Sequence, residues 1–171
     1  MKEFLGLIKN LVDGHPEASF FFKRNLVKEY FQILVLDFIY AHPEYSGLVF
    51  YGGSCLAHCF DLPRLSEDLD FVDIRKEIKL SALAKDLEEF LNKETGLIFS
   101  TKVQKFRIYL KLPILRELNL SVPSESDLLF LRIEIFTGFN LGSRLNTPQF
   151  AAEMKGDNKS KKIPWERSSP R

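Results

Sequence analysis

Asp68 and Asp70 stand one residue apart in the run Arg64-Leu65-Ser66-Glu67-Asp68-Leu69-Asp70-Phe71-Val72. On a strand, a side-chain period of two puts both carboxylates on one face. Such a pair offers hard oxygen ligands, and Mg²⁺ binds through one or two carboxylates together with substrate phosphates. Upstream, Gly52-Gly53-Ser54 separates an apolar run from a short helical segment. Glycines permit positive φ and close backbone approach. A helix start presents free amides and a positive dipole end to an anion. Each feature alone has a plainer alternative: a solvated strand start for the aspartates, and a strand-to-helix turn with Ser54 as N-cap for the glycines. The turn lacks the Lys-Ser/Thr pair of a Walker loop and is not a GxGxxG turn, so those two readings fail.

Glu134 is the third acid of interest, in the run Leu131-Arg132-Ile133-Glu134-Ile135-Phe136. A carboxylate inside so apolar a strand costs free energy unless it is paired or metal-bound. It either completes a site with Asp68 and Asp70 or forms a salt bridge with Arg132 or Arg107. Arg64 and Ser66 precede the aspartates. Arg64 could neutralise triphosphate charge by bidentate contact, or pair with Glu67 or Asp61. Asp73, on the face opposite Asp70, reads as a surface residue. Lys105, Arg107, Tyr109 and Lys111 alternate with apolar residues. They form either a nucleic-acid-facing stripe or the wet side of a half-buried strand.

The elements that must position these groups follow from hydrophobic period and turn residues. Helices are expected over Met1–Val12, Glu17–Ala41, Ser54–Phe60 and Lys79–Asn92. Strands are expected over Leu48–Tyr51, Asp68–Val72, Ile98–Val103, Lys105–Leu112 and Leu128–Phe136. The pattern fades after Gly138, and a disordered basic tail is expected over 151–171, after a domain spanning 1–150.

The chain has 171 residues, 45% of them hydrophobic, with sixteen phenylalanines, so one domain with an aromatic-rich core is expected. Its net charge of +1 gives bulk charge no role in attracting a polyanion. Cys55 and Cys59 are too few for a metal centre and fit small helix residues in a reducing compartment. The N-terminal apolar residues are broken up by Lys2, Glu3 and Lys9. The run Phe31–Tyr40 is too short for a bilayer, so a cytoplasmic location without membrane contact is expected.

Taken together, the apolar strand, Gly52-Gly53-Ser54, Leu56, Arg64, Ser66, Asp68-Leu69-Asp70-Phe71 and the later Glu134 resemble the AbiEii/AbiGii toxin-like nucleotidyltransferases of the DNA polymerase β-like superfamily. The resemblance covers roughly Leu26 to Phe136. It implies an α+β fold with a small mixed sheet and helices packed on it. It also implies Mg²⁺- or Mn²⁺-dependent transfer of a nucleotide from a nucleoside triphosphate to an RNA, typically a tRNA 3′ end, and a cognate antitoxin as partner. On that model Asp68, Asp70 and Glu134 are the catalytic and metal-holding acids. Gly52, Gly53 and Ser54 hold phosphates, with Arg64 and Ser66 as further nucleotide contacts. Members of the family continue into a helical C-terminal half that nothing after Phe136 matches, so this chain is expected to lack it. Two other outcomes stay open: a domain that binds nucleotide or antitoxin without turnover, and a phosphotransferase on the same scaffold.

Overall fold

A computed structural model describes residues 2–63 and 65–137. Arg64, the boundary expected at 150 and the expected tail 151–171 lie outside the described residues. The element order is α1 (Lys2–Asp13), α2 (Phe20–Ala41), β1 (Val49–Tyr51), α3 (Gly52–Phe60), β2 (Asp68–Asp73), α4 (Leu80–Thr95), β3 (Ser100–Gln104), β4 (Arg107–Pro113) and β5 (Leu128–Thr137). The five strands form one sheet in the order β1-β2-β5-β4-β3. β2 and β5 are parallel and the other pairs antiparallel, which gives the mixed sheet expected of an α+β fold.

Register explains why one face of this sheet is dry. Leu69 and Ile108 flank Ile133, Phe71 flanks Ile135, and Leu110 flanks Leu131. All seven are buried, in one core with Phe31, Val35 and Ile39 of α2 and Leu83, Leu87 and Leu91 of α4. Phe31 meets Phe99 edge-on at 5.2 Å between ring centroids, and Phe50 and Phe71 are buried too, whereas Phe20, Phe21, Phe22, Phe60 and Phe130 are exposed, so the aromatic content goes into the core only in part. The alternate residues of the same strands, among them Asp68, Asp70, Arg132 and Glu134, share the other face.

Helix ends follow local chemistry. α2 starts at Phe20 rather than Glu17 because the Ser19 side chain accepts the Phe22 amide at 3.2 Å. α4 stops where Gly96 takes a left-handed conformation, φ 66°, and returns its amide to the Asn92 carbonyl.

Two expectations are corrected. Asp73 is not a surface residue: it is buried, and its carboxylate accepts the amides of Lys76 and Ile78 at 2.8 and 2.9 Å. The turn after β2 has backbone donors that need an acceptor, and this side chain supplies it. Lys105 is not part of the β4 stripe. It sits at the tight β3–β4 turn with φ 54°, so the alternation begins at Arg107.

Candidate active site

The polar face is built by register. Asp70 lies beside Glu134 and Asp68 beside Arg132 across the parallel β2–β5 pair. Arg107 lies across from Glu134, and Tyr109 from Arg132, on β4. Tyr51 stands opposite Asp70 on β1. The three acids singled out in the sequence therefore share one side of the sheet.

Gly52 explains why the turn before α3 carries glycine. Its φ is +81°, and a Cβ there would stand 2.6 Å from Asp70 Oδ2 and 3.3 Å from Asp70 Cβ. The Asp70 carboxylate is seated against bare backbone, which only glycine permits. Gly53 follows and lines the open cleft above the acids. Ser54 departs from the expectation of a capping hydroxyl. It is buried inside the helix start, and its Oγ donates to the Asp68 carbonyl, tying α3 to β2. Any phosphate contact at Ser54 thus falls to its backbone.

The cleft has a volume of about 600 Å³. Its walls include Gly53, Ser54, Ser66, Asp68, Asp70 and Arg132. Lys28 of α2, Tyr109 and Phe130 also line it. Of the nucleotide contacts expected from sequence, Gly53, Ser54 and Ser66 line the cleft, and Gly52 lies against Asp70.

Two guanidiniums are interleaved with the three carboxylates. Arg107 Nε donates to Glu134 Oε1 at 2.7 Å. Arg132 Nη2 donates to Asp68 Oδ2. Arg132 Nε lies 3.2 Å from Glu134 Oε1, a charge contact without an aligned hydrogen bond. The salt-bridge alternative for Glu134 is thus realised with both arginines. Among the described residues no cation pairs with Asp70, and one negative charge of the row stays uncompensated there. Burial, then Glu134, then Asp68 push the Asp70 carboxyl above its ordinary range, with Arg132 opposing. Burial, then Asp70 and Glu134, push the Tyr51 phenol up. The hydrogen bond to Asp68 leads the causes that raise Arg132.

The donor set suits a hard divalent cation: oxygens only, with a residual negative charge at the carboxylate seated on Gly52. It is not a finished cage, since among the described residues no group of three or more acids, imidazoles or thiolates is arranged to hold a metal ion.

Behind the cleft runs a partly buried polar chain that period and spacing do not reveal. His58 Nε2 donates to Gln32 Oε1 at 2.9 Å, and Gln32 Nε2 donates to the Ser66 carbonyl at 2.8 Å. Gln32 is fully buried, and burial lowers the His58 pKa, which favours the neutral imidazole. The chain fixes the segment leading into Asp68. Gln32→Leu is expected to lower stability by about 1–3 kcal/mol, because it strands the half-buried His58 donor and the buried Ser66 carbonyl at once. Thermal unfolding measures this. An unchanged midpoint would remove the positioning role.

No helix among the described residues is long and apolar enough to cross a membrane. Residues 34–151 match the family model described as "Nucleotidyl transferase AbiEii toxin, Type IV TA system". The match takes in α3, both aspartates and Glu134, and begins inside α2. A search of curated proteins finds no match.

Proposed function

The chain belongs to the AbiEii family of nucleotidyl transferase toxins of type IV toxin–antitoxin systems, and from that premise we propose that it transfers a nucleotide from a nucleoside triphosphate to an RNA hydroxyl, with a tRNA 3′ end as acceptor. The observation that carries this reading is the seat of Asp70 on Gly52, beside Asp68 and Glu134 and under the start of α3. That arrangement joins an acidic row to an anion-binding backbone in one cleft.

The reaction is an in-line attack of the RNA hydroxyl oxygen on the α-phosphate, which breaks the bond to the β-phosphate and releases pyrophosphate and the hydroxyl proton, so that charge builds on the attacking and leaving oxygens. Asp68 and Asp70 would hold Mg²⁺ or Mn²⁺, which supplies charge compensation at those oxygens. The amides of Gly53 and Ser54 bind the distal phosphates. Arg132, already in the cleft, would offer its guanidinium to the polyphosphate. Glu134 is fixed by Arg107, which suits an anchor of the acidic row better than a mobile base. A cognate antitoxin is the protein partner that family membership implies.

A second reading is favoured by one feature. Asp68 and Glu134 are already gripped by arginines, so the cleft could bind nucleotide without turnover. One assay separates the readings: incubation with Mg²⁺, total tRNA and nucleoside triphosphate labelled at either the α or the γ position. Label entering RNA from the α position, and absent with Asp70→Ala, is the expected result. Entry of γ label instead identifies a phosphotransferase. Calorimetric binding of triphosphate without transfer of either label supports the binding module.

A further inference from the structure

Phe130 is out of place for an ordinary strand residue. It lies on β5, the central strand, on the polar face, and keeps 44% of its surface exposed. It shares that face with Arg132 and Glu134 by the period of two. Across β4 its register partner is Lys111, and Tyr109, the partner of Arg132, is the diagonal neighbour. Both rings line the same cleft as Gly53, Asp68 and Asp70. Two residues of strand rise, roughly 7 Å, separate the Phe130 row from the Asp68–Arg132 row. That is about the reach of a ribose from an α-phosphate held at the acids.

We propose that Phe130, with Tyr109 beside it, is the stacking subsite for the nucleobase of the bound nucleoside triphosphate. The inference rests on the nucleotide reading above and adds to it the direction in which the substrate lies: phosphates toward the start of α3, base toward the Phe130 end of β5. An exposed ring flanked by cations is the surface on which a base stacks, and stacking tolerates every base because each has a π-face. The cleft then distinguishes a nucleotide from a bare polyphosphate by its aromatic end.

The test is calorimetry on the full chain with Mg²⁺ and two probes, ATP and inorganic tripolyphosphate. Phe130→Ala should weaken ATP at least about fivefold and leave tripolyphosphate unchanged, in keeping with the usual cost of losing a stacked base. Phe130→Trp should restore ATP binding. Equal ATP affinity in wild type and Phe130→Ala would overturn the subsite, as would equal weakening of both probes. If the wild-type chain binds neither probe, the nucleotide reading itself fails and the subsite goes with it. If it binds both and only the Phe130 effect is missing, the nucleotide reading stands and the subsite alone is lost.

Discussion

Asp70→Asn is expected to yield a protein more stable than wild type and strongly impaired in nucleotide transfer. The stability gain comes from charge. Asp70 is partly buried beside Glu134 and Asp68, while the two guanidiniums of the row serve those other acids. Burial and the neighbouring acids make the ionised carboxylate costlier there than in the unfolded chain, and the neutral amide removes that cost without changing shape. Each kcal/mol relieved raises the midpoint by about 2–4 °C in a domain of this length.

The sign in pH follows from linkage. The folded pKa lies above the ordinary 3.8, so the folded state binds the proton more tightly than the unfolded chain. Wild-type stability therefore falls as pH rises from the ordinary value through the raised one. The Asn variant lacks this loss. The difference in midpoint between the two should open across that interval and stay constant above it. Transfer activity should drop about a thousandfold, the equivalent of several kcal/mol of charge stabilisation. Thermal scans across pH and the labelled-nucleotide assay check the two halves separately. A less stable Asn variant would mean that Asp70 supports the fold and is not strained for function.

The two halves of that expectation were unequally legible in the sequence. Asp-x-Asp at a strand start places two carboxylates together with no tertiary information, and so does a glycine pair between strand and helix. The period of two also put Glu134 on the face of Arg132, and extended to Phe130 it would have marked that ring as a cleft residue. Which strand pairs with which is a different matter. Asp70 meets Glu134 only because β2 and β5 are parallel neighbours with α4, β3 and β4 threaded between them in sequence, and no local pattern carries that register. The same holds for Lys28 and Gln32. Both sit on α2, far upstream in the chain, and reach the loop before Asp68 only through packing. Asp73 shows the opposite error: an acid that looks solvated by type is buried because a turn needs its oxygens.

The second large effect concerns Gly52. Gly52→Ala introduces two separable costs. The first is conformational, since a φ of +81° is foreign to a residue with a Cβ and costs about 1–2 kcal/mol. The second is steric, since the new methyl would lie 2.6 Å from Asp70 Oδ2, and relieving such overpacking costs about 1–3 kcal/mol. The contact is with a carboxylate at its tip but also with Asp70 Cβ at 3.3 Å, so rotation of the carboxylate alone does not clear it. The variant should therefore lose stability and displace Asp70, and transfer should fall as far as with Asp70→Asn. A double-mutant cycle isolates the steric part. In an Asp70→Ala background the methyl has room, so Gly52→Ala should there cost only its conformational share. The coupling between the two positions is then the overpacking cost, and it is read from urea unfolding of four proteins. Additive behaviour would show that the Asp70 carboxylate does not rest on Gly52. With that contact gone, the turn would lose its claim to hold the acid in place, and the active site would have to be built from Asp68 and Glu134 with their arginines.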